Sequence, residues 1–92
     1  MRLRGGMEYK IVLTEHALED LQHLDSVVAK RVLKKLQWFA QQPNPLQFAK
    51  PLRQFAVGDY RFRIGEYRAI AIIRLKKRIE ITAIGHRSEI YR

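Results

Sequence analysis

The chain has 92 residues, 47% of them hydrophobic and 29% charged, with a formal charge of +9 at pH 7 and no cysteine. This length supports one domain around a single modest core, and the lack of thiols excludes disulfides and thiolate metal sites. No apolar run reads as a signal or a membrane span, so a cytoplasmic location without membrane contact is expected. The charge is uneven: residues 1–25 carry three Lys/Arg against five Asp/Glu, and residues 26–92 carry fifteen against four. A positive field over the second part favours nucleic acid, an acidic protein, or both in turn as partners.

In chain order, residues 1–6 read as a disordered or appended extension, with Met7 an alternative start, and residues 7–92 as the single domain. Tyr9, Ile11 and Leu13 alternate with Lys10 and Val12, which predicts a first strand. Thr14 suits the N-cap of a helix whose apolar stripe is Ala17, Leu18, Leu21 and Leu24, with Glu15, Glu19 and Asp20 in its early turns. Asp25-Ser26 breaks that pattern. Val28, Val32, Leu36 and Phe39, widened by Leu33 and Ala40, then predict a second helix, with Lys30, Arg31, Lys34 and Lys35 on its other faces. Pro43 and Pro45 end it.

Residues 44–58 read as a connector, with a strand starting near Gln54–Val57. Three strand-length runs follow, Asp59–Ile64, Tyr67–Leu75 and Ile79–Ile84, turning at Gly65-Glu66 and at Lys76-Lys77. The predicted order is β-α-α-β-β-β, an α+β fold with a helical hairpin on one face of a small, mainly antiparallel sheet. Alternation puts Tyr60, Phe62 and Ile64 on the covered face and Arg61 and Arg63 on the open one. A hairpin at Gly65-Glu66 brings Arg68 back beside Arg63. Three guanidiniums held together read first as a site for a phosphodiester or another polyanion.

The isolated Gly58, Gly65 and Gly85 make no phosphate-cradling loop, and the separated His16, His23 and His86 make no metal site, so no metal or cofactor is expected. Neither Ser26 nor Ser88 has a nucleophile elbow. What remains is acid–base chemistry on a phosphodiester, with Arg61, Arg63, Arg68, Arg87, His86, Glu89 and Tyr91 as the available groups. RNA supplies its own nucleophile, the 2′-OH. The protein must align it, take its proton, neutralise the charge gained at phosphorus and protonate the leaving oxygen. Arginine cannot act as the base, which leaves His86, Tyr91 or Glu89. Histidine titrates near ~6.5 unaided, whereas tyrosine, near ~10, needs neighbouring cations to acidify it.

Lys50-Pro51-Leu52, the block Gly58-Asp59-Tyr60-Arg61-Phe62-Arg63-Ile64-Gly65-Glu66-Tyr67-Arg68, and Gly85-His86-Arg87 with a closing Tyr91 together resemble the RelE/ParE toxin superfamily of type II toxin–antitoxin modules, most closely its RelE branch. The resemblance spans residues 7–92. It implies a RelE-like toxin that cuts messenger RNA in the ribosomal A site, leaves a 2′,3′-cyclic phosphate, and is silenced by a small cognate antitoxin. A toxin–antitoxin heterotetramer is compatible with it.

The resemblance also implies a site of Arg61, Arg63, Arg68, Arg87 and Tyr91, with His86 as the alternative base or an acid. Lys50, Arg53, Arg74, Lys76 and Lys77 extend the RNA-contacting charge. The best-known RelE pattern has lysines where this chain has Arg61 and Arg63. A ParE-like gyrase inhibitor that acts by binding alone, and an accessory RNA-binding module, are the competing readings.

Overall fold

A computed structural model of the chain describes residues 1–3, 9–53, 58–75 and 77–90. The elements are β1 (Lys10–Leu13), α1 (Glu15–His23), α2 (Ser26–Ala40), a 3₁₀ turn (Pro45–Phe48), β2 (Ala49–Pro51), β3 (Tyr60–Ile64), β4 (Tyr67–Arg74) and β5 (Arg78–His86). Among the described residues the sheet has five strands in the order β1-β5-β4-β3-β2. β1 runs parallel to β5 and the other pairs are antiparallel.

Local chemistry sets the helix starts. Thr14 Oγ1 accepts the Ala17 N–H at 3.2 Å and donates to the Ile81 carbonyl at 3.1 Å, so the cap of α1 is also tied to β5. Asp25 caps α2 by accepting the Val27 N–H at 3.2 Å. Each helix then turns its apolar stripe to the sheet. Ala17 and Leu21 from α1, and Val32, Leu36, Phe39 and Ala40 from α2, are buried against Ile11, Leu13, Phe62, Ile64, Ala69, Ala71, Ile79, Ile81 and Ile84. The helices thus cover one face of the sheet, as α+β packing requires; on the other face Ile70 is buried beside Gly58, while the end that carries Arg63 is open to solvent.

Three features depart from the sequence expectations. Among the described residues the sheet has one strand more than predicted: β2 pairs with β3 through Ala49↔Phe62, Lys50↔Arg61 and Pro51↔Tyr60. Pro51 is tolerated there because β2 is an edge strand, where the missing N–H faces no neighbour. The strand start expected at Gln54–Val57 lies outside the described residues. Met1–Leu3 are not separate from the fold. Arg2 bridges Val12, the Leu3 N–H donates to the Ile11 carbonyl at 2.9 Å, and Leu3 is buried in the core. The free edge of β1 offers unpaired backbone groups, which these residues satisfy.

The third departure is a register shift. Ile70 pairs with Ala83 but Ala71 pairs with Ile81, so Thr82 is an extra residue in β5. Such a bulge reverses the alternation beyond it. The buried isoleucines of β5 are therefore Ile79, Ile81 and Ile84. Asp20 on α1 accepts the Ile84 N–H at 2.8 Å, just past the bulge.

Candidate functional site

Strand register assembles a cationic recess on the open face. Directly opposed residues on antiparallel strands project to the same side, and the pairs Arg63↔Arg68 and Lys50↔Arg61 are opposed in this way. With Phe48 these four side chains line a recess of about 210 Å³. The juxtaposition of Arg61, Arg63 and Arg68 expected from the hairpin is present, and Lys50 joins it through β2.

The hairpin also orients Arg68. Gly65 takes a φ of 59°, which glycine adopts without steric cost. The turn carbonyl of Gly65 and that of Tyr67 each accept a hydrogen bond from Arg68 Nη1 at 2.8 Å. A guanidinium has donors on three nitrogens, so this anchoring commits one of them and fixes the position of the fork.

The remaining sequence-nominated residues fall elsewhere. Arg87 follows β5 and pairs with Glu66 at the hairpin tip, Nε to Oε2 2.7 Å, with both side chains largely exposed. Such surface pairs contribute little to stability. His86 is opposed to Tyr67, and Tyr67 lies on the helix-covered side with Ala69 and Ala71. Register therefore puts His86 on the face opposite Arg63 and Arg68. Its ring meets Tyr67 edge-on at 5.5 Å, and Nδ1 accepts the Ser88 N–H at 3.2 Å and lies 2.8 Å from Ser88 Oγ. Glu89 is exposed in the turn that follows. Ile90, next in that turn, lies over Gly85, where an added Cβ would come within 3.1 Å of Ile90 Cδ1. Gly85 is opposed to Arg68, so the chain folds back across the open face one residue before Tyr91. Tyr91 and Lys76 themselves lie outside the described residues.

At the far end of the open face Arg74 and Arg78, which oppose each other, share Glu80 at 3.1 and 3.3 Å. Arg53 is exposed beyond β2, and the Lys77 ammonium lies 5.4 Å from the Tyr9 ring centroid. Sequence reasoning assigned no role there to Arg2, Lys10 and Arg78. With Val12 and Leu75 they line a second basic recess of about 360 Å³, and the alternation of Lys10 with Ile11 was the available signal. A third recess, of about 400 Å³, runs between α2 and β3 over Trp38, Ile64 and Gly65, with Arg31, Lys34, Lys35 and Arg63 around it.

The chain is thus a small α+β domain with a helical hairpin on one side of its sheet and clustered guanidiniums on the other. The comparisons with known proteins give it a family. The model of the ParE toxin of the type II toxin–antitoxin system parDE matches residues 11–91, and the chain belongs to that family, within the RelE/ParE superfamily of toxins. It is similar to the toxin–antitoxin complex RelBE2 from Mycobacterium tuberculosis, at 26% identity and a TM-score of 0.69, covering 87% of this chain and 99% of that one. It is also similar to the archaeal RelE–RelB complex from Pyrococcus horikoshii OT3, at 26% identity and a TM-score of 0.66, covering 90% and 99%. No curated protein sequence matches the chain. Among the described residues no helix is long and apolar enough to cross a membrane.

Proposed function

We propose that this toxin is a ribosome-dependent endoribonuclease that cuts messenger RNA through attack of the substrate's own 2′-OH. The observation that carries the reading is the convergence of Lys50, Arg61, Arg63 and Arg68 on one recess. As the 2′-oxygen bonds to phosphorus, the non-bridging oxygens gain charge and the 5′-oxygen leaves. Fixed guanidiniums stabilise that charge more than they stabilise the ground state. Its anchoring at the hairpin supports assigning Arg68 to the scissile phosphate and Arg61 and Arg63 to the flanking backbone.

Guanidiniums stay protonated at neutral pH, so the proton transfers fall to other groups. Tyr91 is the favoured base, because the chain at Ile90 already lies on the face that carries Arg68. Lys50, the ammonium of the recess, is assigned to protonate the leaving 5′-oxygen. Exclusion of His86 from that face argues against it as the base. The partner that silences the toxin is a small antitoxin whose acidic or amphipathic segment covers the same cations.

The match to the ParE model favours a second reading, inhibition of DNA gyrase by binding. Two assays on the purified toxin separate them: mapping of mRNA ends in a translating extract, and supercoiling by gyrase. Codon-phased cleavage with unaffected supercoiling supports the ribonuclease. Intact mRNA with blocked supercoiling overturns it.

A further inference from the structure

We propose that Trp38 and Phe48 form a stacking subsite for an unpaired nucleobase, next to the arginine recess and continued by the basic side of α2. The proposal rests on the nucleic-acid reading above and adds a base-recognition element to it. Trp38 and Phe48 are each 41% exposed, an unusual state for two adjoining large aromatics. Their ring centroids are 4.9 Å apart at 70°. Buried Phe39 supports both from below, at 5.6 and 5.8 Å, and is itself packed on Phe62 of the core at 4.8 Å. The platform is therefore fixed to the sheet although its outer surface is open.

The platform and the phosphate site are continuous. Phe48 lines the arginine recess, Trp38 lines the groove between α2 and β3, and Arg63 lines both. Arg31, Lys34 and Lys35 stand three or four residues apart from one another or from Trp38, so they share one side of the helix. The Lys35 ammonium sits 4.3 Å from the Trp38 ring centroid. A cation held on an aromatic face marks a surface that also accepts a π-stacked base, and an arriving base would move that ammonium onto its neighbouring phosphate. Cationic tracks interleaved with aromatic rings hold single strands in this manner, since every base has a π-face. An acidic peptide would match the charge but would leave the Trp38 face without a planar partner, whereas a base stacked on Trp38 would meet Phe48 edge-on. The ligand class is single-stranded RNA, whose bases are free to stack on protein.

Trp38 is the sole tryptophan of the chain, so its fluorescence reports on this subsite alone. A dye-labelled short unstructured oligoribonucleotide and a labelled abasic oligomer of equal length and charge are titrated with toxin at low salt, binding being read by anisotropy of the label and stacking by quenching of Trp38 in the wild type. Quenching by the RNA, with affinity roughly tenfold or more above the abasic oligomer, is expected. Trp38→Leu should remove that preference while leaving abasic binding unchanged, its fold checked by circular dichroism. Equal binding of both oligomers without quenching overturns the subsite and leaves the polyanion reading standing. Binding of neither overturns both. Quenching by an acidic amphipathic peptide but not by RNA would make the groove a protein-docking site instead.

Discussion

Arg68→Ala separates catalytic from structural roles because the two contributions differ in size. The substitution removes the Nη1 hydrogen bonds to the Gly65 and Tyr67 carbonyls. Both acceptors belong to a hairpin end that water can reach, so each bond contributes at most about 1 kcal/mol. Part of that loss is offset by relief of the repulsion from Arg63 across the ladder. A net cost of about 1 kcal/mol lowers the melting temperature of a domain this size by roughly 4–8 °C. Loss of a preorganised donor at the charge developing on phosphorus instead slows the chemical step by roughly 100- to 1,000-fold. The assay is single-turnover cleavage on programmed ribosomes, which isolates chemistry from product release. Arg68→Lys should fall between, keeping the charge but losing the fork. A folded Arg68→Ala protein that cuts within about threefold of wild type would remove Arg68 from the scissile phosphate. A protein that fails to fold would make the residue structural.

Four further outcomes are expected. Asp20→Ala strands the buried Ile84 N–H that its carboxylate accepts at 2.8 Å, and should lower unfolding free energy in urea by about 1–3 kcal/mol. Gly58→Ala places a Cβ 2.4 Å from Ile70 Cγ2 at a φ of +155°; a loss of about 1–3 kcal/mol is expected, and an unchanged urea midpoint would show that the loop yields. Tyr91→Phe should abolish most single-turnover cleavage and His86→Gln should retain it, a reversal of which would make His86 the base. Antitoxin binding and mRNA cleavage should be mutually exclusive, so residual cutting at the free rate by a saturated toxin–antitoxin complex would move the inhibitory contact off the cationic face.

What the sequence by itself determined follows from local periodicity. Apolar residues at helical spacing, caps at Thr14 and Asp25, and alternation through Tyr60–Ile64 act within a few residues, and each specifies its element without reference to the rest of the chain. The Gly65-Glu66 turn extends that reach to one long-range fact, the Arg63–Arg68 pair, because a two-residue loop fixes the register of its strands. The edge strand Ala49–Pro51 was not legible, since its three residues become a strand only by pairing with β3. Neither was the side on which His86 lies. Alternation counted from Ile79 puts residue 86 among the arginines, whereas the extra residue at Thr82 reverses the count and puts Ile84 and His86 on the opposite face. A bulge is decided by how two strands fit across a ladder, and no periodicity within one strand records it. Tertiary structure alone also joined Lys50 and Phe48 to the arginine recess and set Trp38 against Phe48, because these residues come from separate elements brought together on β3.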